Sequence, residues 1–407
     1  MAHAAASSHD EHAHHHHSKA PRLVTESSHR RVGWLELFYD LVYVATIVQL
    51  GNKLSESVTV DGFIAFVLLF IPIWWVWMGT TFYANRFDAD DLPHRALIFG
   101  QIFVVSALAI SVYDGLGETA VGFSLAYAAA RGLLVLMYLR AARHVPQASA
   151  LANRYAAGFA LASLVWLIAA FVPPPFRFFV WGIGLGIDFY TPLSPESRHL
   201  QRQLPPSPHH LPERLGLFTI IVFGESFIKV IGGFTGEDHL LLNHVFVGLL
   251  GLILVGSIWW IYFENVADRA VDWAQGGTTW IYTHLPLQLS LIALAVGIYK
   301  LIHLEEYDTI PDNYRILITG AVALALFTTA IIERFTVKNV GEQSGRPEFM
   351  IRIISAVIIL ALGLFGTTIN GVVLIAIVAA ICLAQIIFDL MRRAGRNITS
   401  GGSQIRI

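Results

Sequence analysis

Long apolar runs separated by short polar breaks fill the sequence from about residue 34 to residue 391. A run of about 20 apolar residues is long enough to cross the hydrocarbon core of a bilayer as one helix. The pattern predicts twelve spans, at 34–52, 62–84, 95–113, 120–140, 153–172, 177–191, 214–232, 243–264, 279–302, 314–333, 350–367 and 370–391. The sixth run, which is short and rich in glycine, is the least marked of the twelve.

Polar segments divide the chain into five parts. A His-rich tail over 1–33 and a basic tail over 392–407 flank the membrane region, and both are expected in the cytoplasm. The first tail is predicted to be disordered, and it lacks the apolar core of a cleavable signal peptide. A segment over 192–213, whose prolines predict an extended cytoplasmic linker, separates six spans over 34–191 from six over 214–391.

Composition supports a membrane protein and excludes several other classes. Charged residues make up only 14% of the chain and apolar residues 55%, whereas soluble domains carry about 25% charged residues. The net charge of -2 argues against a nucleic-acid partner, and the single cysteine, Cys382, excludes an intramolecular disulfide. The histidine run at 14–17 could hold a metal ion or belong to a disordered tail, and we assign no metal site.

The distribution of positive charge predicts the orientation. With twelve spans and both termini in the cytoplasm, 21 Lys and Arg residues lie on the inner side and 4 lie in outer loops. Membrane proteins carry such an excess of positive charge on the cytoplasmic side. We therefore expect a multi-pass protein of the cytoplasmic membrane with both termini inside.

Similar segments recur in the two sets of six spans. Ile73-Trp74-Trp75 in the second span matches Ile258-Trp259-Trp260 in the eighth, 185 residues later, and Asp188 matches Asp389 at the ends of the sets. An even number of helices per repeat gives two parallel repeats related by an axis along the membrane normal. The predicted fold is therefore an all-α integral membrane protein of about twelve helices in two parallel six-helix repeats, with the working site between them.

Two carboxylates in the first span are the first candidate site. Glu36 and Asp40 are four residues apart and share one helix face. Such a pair can coordinate a cation together, or hold one proton because both groups do not ionise cheaply side by side. The alternative is that both lie hydrated at the membrane surface, where they favour the positive end of the helix.

The seventh span carries a second candidate. Glu225 lies well inside the apolar run, and Lys229 follows it by four residues. A charge at this depth is costly and is often functional. The alternative is a structural ion pair within one helix, because Glu before Lys at this spacing is favourable.

Arg131, inside the fourth span, needs a buried partner, and the candidates are Glu36, Asp40 and Glu225. His284 could relay protons or be a hydrogen-bonded core histidine. Several other acidic residues near cytoplasmic helix ends are interpreted as interface or packing charges, namely Asp188, Glu264, Glu333 and Asp389.

Two stretches resemble the bacterial low temperature requirement protein A family. They are Arg-Val-Gly-Trp-Leu-Glu-Leu-Phe-Tyr-Asp-Leu-Val-Tyr-Val at 31–44 and Glu-Arg-Leu-Gly-Leu-Phe-Thr-Ile-Ile-Val-Phe-Gly-Glu-Ser at 213–226. The family commonly has phenylalanine where this chain has Tyr39. The resemblance covers roughly 30–390 and implies a polytopic protein of the bacterial inner membrane. The family name records a cold-growth phenotype and implies no biochemical activity.

The first span is also similar to one helix of the endolysosomal potassium channel family, which carries an arginine followed by Phe-Ser-Asp. Arg31, Phe38 and Asp40 are the matching positions, and Tyr39 replaces the serine. This similarity supports ion passage.

We therefore expect a passive or ion-coupled transporter or channel for a small solute or cation. Glu36, Asp40 and Glu225 would hold the ion or proton, with Arg131 as their counter-charge. No ATP-binding, zinc-protease or serine-hydrolase motif is present, so we expect no cofactor and do not favour an enzyme.

Two other functions remain open from the sequence. One is an enzyme embedded in the membrane that acts on lipid or isoprenoid, with Glu225 or His284 as general acid or base. The other is a non-catalytic scaffold or sensor. Membrane lipid is the expected surrounding in each case, and a homo-oligomer is compatible with all of them.

Overall fold

The computed structural model describes residues 19–24, 33–204, 210–235, 242–266, 269, 271–273, 276–336 and 346–401. The histidine run at 14–17, most of the predicted N-terminal tail and residues 402–407 lie outside the described residues.

The described part of the chain is almost entirely helical. The helices before the predicted linker are α1 (Trp34–Glu56), α2 (Val60–Arg86), α3 (Leu92–Ser111), α4 (Ala120–His144), α5 (Ser149–Ala169) and α6 (Phe176–Leu193). They are followed by α7 (Pro195–Gln203), α8 (His210–Gly232), α9 (Leu242–Val266), α10 (Gly277–Ile302), α11 (Asp312–Arg334), α12 (Arg346–Phe365) and α13 (Gly371–Gly401). The predicted class, an all-α polytopic membrane protein, is confirmed.

Eleven helices in the described ranges are long and apolar enough to cross a membrane. The predicted sixth span forms α6, but this helix of 18 residues is not among the eleven. Its glycines and its two charged residues, Arg177 and Asp188, lower its hydropathy. The number of candidate spans is therefore one fewer than the twelve predicted.

The two sets of six helices use corresponding contacts. In the first set α1 packs against α3, α3 against α4 and α4 against α5. In the second set α8 packs against α10, α10 against α11 and α11 against α12. The last helices differ, because α6 packs mainly against α5 whereas α13 packs mainly against α9. The arrangement as two parallel repeats stays a prediction.

The two sets meet where α1 and α2 contact α8 and α10. Helix α10 is the most buried candidate span, and Trp74, Trp75 and Trp77 of α2 are also buried. The indole N–H of Trp74 donates to Gln288 Oε1 of α10 at 2.7 Å. Aromatic rings therefore fill this interface, and the Trp74 indole also joins the two sets by a hydrogen bond.

The predicted linker over 192–213 is not extended throughout. Ser194 caps α7, its hydroxyl accepting the backbone N–H of Ser197 at 3.3 Å, and Pro195 stands in the first turn, where a missing N–H costs nothing. Helix α8 begins at His210, before the predicted start of the seventh span at 214. Helix α7 and the first turn of α8 therefore lie within the segment that was predicted to be an extended linker.

Part of the predicted disordered N-terminal tail is a β-strand. Strand β1 (Lys19–Leu23) pairs antiparallel with β2 (Phe87–Asp90), which joins α2 to α3. Arg22 Nη2 lies 2.8 Å from Asp88 Oδ2 across the pair. The tail is thus attached to the loop that follows α2.

Glycine at position 158 sets the distance between α5 and α6. A Cβ built there would lie 2.2 Å from Thr191 Oγ1 and 2.9 Å from Thr191 Cβ, whereas a Cβ at Gly182 of α6 meets nothing within 4 Å. Threonine is β-branched, so the side chain of Thr191 has few rotamers in which it could avoid the added methyl group. We expect Gly158→Ala to destabilise the protein by about 1–3 kcal/mol through overpacking. Gly182→Ala should be neutral or stabilising by up to about 1 kcal/mol. Thermal denaturation in detergent compares the two, and equal effects would contradict the packing account.

Candidate functional site

A buried guanidinium joins the two carboxylates of the first helix. Arg214 of α8 donates from Nη1 to Glu36 Oε2 at 2.9 Å and from Nη2 to Asp40 Oδ1 at 2.7 Å. Arg214 and Asp40 are almost fully buried, with side-chain exposures of 1% and 0%, and Glu36 is 12% exposed. The structure therefore confirms that Glu36 and Asp40 lie side by side, and it adds Arg214, which the sequence analysis did not select. We call these three residues the Arg214 centre.

Helix α2 completes the Arg214 centre with an indole. Trp77 Nε1 donates to Asp40 Oδ1 at 2.8 Å, so this oxygen receives two hydrogen bonds. The Trp77 ring stacks on Phe218 with centroids 4.2 Å apart, which fixes the indole. The Tyr39 hydroxyl, at the position where the family commonly has phenylalanine, shares a hydrogen bond with Thr80 Oγ1 at 3.3 Å. Three helices, α1, α2 and α8, therefore position the centre.

Two buried polar atoms of the Arg214 centre make no hydrogen bond to a described residue. Asp40 Oδ2 and Arg214 Nε are buried and have no hydrogen-bond partner among the described residues. A buried carboxylate oxygen without a donor is unfavourable unless it receives a proton, a cation or a water molecule. His210 Nε2 lies 3.4 Å from Glu36 Oε2, so a histidine adjoins the centre.

A cavity of about 630 Å³ reaches the Arg214 centre from one end of the helix bundle. Its walls come from the start of α1, the end of α2, strand β2 and the start of α3. The polar and charged side chains in its lining include Glu36, Tyr39, Thr80, Asp88, His94 and Arg214. Glu36 and Arg214 thus face a space large enough for a hydrated ion or small solute, and Asp40 lies directly behind them.

Arg131 does not pair with any of its three predicted partners. Its Nε lies 3.1 Å from Asp188 Oδ2 of α6, and the hydroxyl of Tyr127 donates to the same oxygen at 2.6 Å. Arg131 and Asp188 are both fully buried, with exposures of 1% and 0%. Asp188, interpreted from the sequence as an interface or packing charge, is therefore the buried counter-ion of Arg131 within the first set of helices.

The structure does not bring Glu225 to the Arg214 centre. Glu225 follows Arg214 by eleven residues on α8, which is about 16 Å along a helix axis. Lys229 Nζ donates to Asn52 Oδ1 of α1 at 2.8 Å and lies 4.4 Å from the centroid of the Tyr299 ring. Glu225 is half-buried. Lys229 reaches Asn52, and among the described residues it makes no direct ion pair with Glu225, the structural alternative considered for these two residues.

His284 is a fully buried histidine with both ring nitrogens in hydrogen bonds. Nδ1 donates to the Trp280 carbonyl at 2.8 Å, and Nε2 therefore accepts from the Tyr262 hydroxyl at 2.9 Å. Of the two alternatives considered for His284, this geometry is that of the core histidine. Among the described residues, no three His, Cys, Asp or Glu side chains come together in a way that could hold a metal ion.

Sequence reasoning missed a second buried arginine that bridges two carboxylates. Arg352 of α12 contacts Glu333 of α11 and Asp389 of α13, at 2.7 and 3.0 Å. Both acids had been interpreted as interface or packing charges because they lie near helix ends. The available signal was an arginine followed at once by a long apolar run, which Arg214 and Arg352 share.

These features define a polytopic helical membrane protein with a charged centre between its two sets of helices. The family model of the bacterial low temperature requirement A protein (LtrA) matches residues 31–390. The chain therefore belongs to that family, as the motifs at 31–44 and 213–226 predicted. It is also similar to an uncharacterized protein of Rhizobium meliloti (strain 1021), with 30% identity over 317 residues that cover 74% of this chain and 76% of the relative.

Proposed function

We propose that this protein is an ion-coupled or passive transporter that binds a proton or a small cation at the Arg214 centre. The observation that carries the proposal is the position of Arg214. It belongs to the second set of helices and holds two carboxylates of the first set beside a cavity that Glu36 and Arg214 line. Transporters built from two sets of helices commonly place their ion site between the sets.

The chemistry of the centre suits reversible binding of a positive charge. Asp40 Oδ2 is buried and has no donor among the described residues, while Oδ1 is held by Arg214 and Trp77. A proton or cation on Oδ2 would neutralise Asp40 and weaken its attraction for Arg214. Because Arg214 and Asp40 lie on different sets of helices, ion binding would loosen the contact between the sets.

Two of the other candidate residues fit the same path. Glu225 and Lys229 lie at the other end of the α1–α8 contact, where Lys229 reaches Asn52, and we propose that they form its second polar station. We propose that the cavity mouth and both termini face the cytoplasm of a bacterial cell, because with twelve spans most of the positive charge would lie on that side.

We expect Asp40→Asn to reduce ion flux through reconstituted protein to background, because asparagine keeps the shape of the side chain but cannot take up a proton or hold a cation as a carboxylate does. The measurement is potassium, sodium and proton flux into liposomes. The matched control is Glu213→Gln, which neutralises an exposed carboxylate next to Arg214 and should leave flux unchanged.

Size-exclusion chromatography and thermal denaturation of both variants establish that they fold before flux is compared. Flux that survives in folded Asp40→Asn, or absence of any ion flux through folded wild-type protein, would contradict the proposal. Glu225→Gln in the same series tests the second station, because unchanged flux would remove Glu225 from the path.

A further inference from the structure

A second cavity, of about 390 Å³, lies between the two sets of helices. The start of α2, the middle of α10 and the first half of α11 form its walls, and we call it the α2–α11 cavity. The end of α2 lines the cavity at the Arg214 centre, so the two cavities lie at opposite ends of the bundle. Its volume falls within the range of about 300–1,000 Å³ that is typical of ligand sites.

The three polar side chains in the lining of the α2–α11 cavity are already hydrogen-bonded to the backbone. Ser290 Oγ donates to the Leu287 carbonyl at 2.6 Å, and Asn313 Nδ2 donates to the Val58 carbonyl. Thr59 Oγ1 accepts a backbone N–H in the first turn of α2 at 3.1 Å. The other lining residues are apolar or glycine. The cavity therefore suits an apolar ligand rather than water or a polar solute.

The α2–α11 cavity opens on the side of the bundle that the bilayer surrounds. Val60, Ile64 and Ile316 line it and are 76%, 49% and 44% exposed. All three belong to candidate membrane spans, on which exposed apolar side chains contact lipid chains. Deeper in the cavity, Leu289 and Ala293 of α10 are buried. An apolar chain can therefore pass from the lipid surface into the space between the two sets.

A glycine in the wall keeps part of the α2–α11 cavity open. A Cβ built at Gly320 of α11 would meet no atom within 4 Å. The buried neighbours Ala293 and Ala321 also have small side chains. A larger side chain at position 320 would therefore occupy the space without a clash at its Cβ.

Two exposed carboxylates adjoin the polar end of the cavity. Asp61 follows Thr59 by two residues and is exposed, and Asp312 precedes Asn313 with its side chain 76% exposed. Arg315, one turn later on α11, is buried and lies 2.7 Å from Asp312. An anionic lipid headgroup would be repelled by the two carboxylates, whereas an ammonium group would be attracted to them.

We propose that the α2–α11 cavity binds one acyl chain of a phosphatidylethanolamine molecule, whose ammonium group lies near Asp61 and Asp312. The chain fills the space between α2 of the first set and α10 and α11 of the second. The hydrogen bond from Asn313 to Val58 joins the same two sets at the end of this space. This inference does not depend on ion binding at the Arg214 centre.

Photochemical labelling of the full chain in phosphatidylcholine vesicles tests the proposal. The probe is phosphatidylethanolamine with a diazirine in one acyl chain, and proteolysis with mass spectrometry locates the label. We expect labelling of the lining segments of α2, α10 and α11 well above that of other exposed spans. Gly320→Leu should reduce it to their level, because leucine fills the cavity. The matched control is Gly182→Leu, at a glycine of α6 whose added Cβ also meets nothing within 4 Å, and it should leave the labelling unchanged.

Competition with unlabelled lipids tests the headgroup. Phosphatidylethanolamine should displace the probe about two- to fivefold better than phosphatidylglycerol, the range that an exposed ion pair gives. Asp61→Asn should reduce this preference and leave the label in the cavity. Equal displacement by the two lipids would refute the headgroup assignment.

The map of the wild-type protein is decisive by itself. Equal labelling of all exposed spans would overturn the proposal and leave the cavity as ordinary lipid-facing surface, whether or not Gly320→Leu folds. Thermal denaturation establishes that Gly320→Leu is folded before it is labelled. Undiminished labelling of the lining segments in folded Gly320→Leu would also overturn the proposal.

Discussion

Arg214→Met is expected to lower the free energy of unfolding by about 3–5 kcal/mol, because removing one partner of a buried ion pair leaves an uncompensated charge. Here two carboxylates, Glu36 and Asp40, lose the guanidinium that bridges them at 2.9 and 2.7 Å. Methionine keeps much of the buried volume, so the loss reports on charge rather than on packing. Unfolding in mixed micelles, followed by circular dichroism, measures the change.

An exposed arginine provides the control for this prediction. Arg95 pairs with Asp90 at 2.8 Å, but the two side chains are 50% and 53% exposed. Arg95→Met should therefore change stability by no more than about 1 kcal/mol. Adding Glu36→Gln and Asp40→Asn to Arg214→Met should restore much of the lost stability. A triple variant as unstable as Arg214→Met alone would refute the charge account.

The second large effect is expected at Arg131. Arg131→Met should cost about 3–5 kcal/mol, because it leaves the buried carboxylate of Asp188 without its counter-ion and, among the described residues, with the Tyr127 hydroxyl as its one remaining donor. The double variant Arg131→Met with Asp188→Asn should be more stable than Arg131→Met alone, because asparagine keeps an oxygen for Tyr127 and carries no charge.

A double-mutant cycle over these variants gives the interaction energy between Arg131 and Asp188 directly. We expect coupling of at least about 1 kcal/mol, within the range found for contacting residues in one network. Additive single effects would mean that the 3.1 Å contact carries no energy. Combining Arg131→Met with Glu225→Gln, a residue once considered as its partner, should give additive effects.

Most of the helices could be predicted from the sequence because a membrane-spanning helix has a local signature, a run of about 20 consecutive apolar residues. Helix α7 and strands β1 and β2 were missed for a related reason. Their polar sequences carry no membrane signal, and strand pairing joins residues as distant as Arg22 and Asp88. The end of α13 at Gly401 was also missed, because a helix that leaves the membrane loses its apolar pattern without losing its hydrogen bonds.

The candidate site could be predicted only in part. Glu36 and Asp40 were found because their spacing on one helix is a local property. Their partner Arg214 comes 174 residues after Asp40, and its place at the predicted start of a span made it look like an ordinary interfacial charge. None of the three partners considered for Arg131 was the right one, because helix packing, rather than sequence proximity, determines which opposite charges meet in a membrane.

The contact between α1 and α8 limits how the two sets of helices can move relative to each other. Arg214 joins the helices at one end, Lys229 joins them at the other through Asn52, and the rings of Tyr43 and Phe218 touch between these points with centroids 6.0 Å apart.

The two ends of this contact are expected to differ in stiffness. If α8 swings away from α1 at the Lys229 end, the ammonium group has Glu225, one helical turn earlier, as a replacement partner. At the other end, separation would leave the buried Arg214 without the two carboxylates that pair with it. The helices should therefore separate first at the Lys229 end. They would pivot about the contact between Tyr43 and Phe218, while the Arg214 centre holds the other end together.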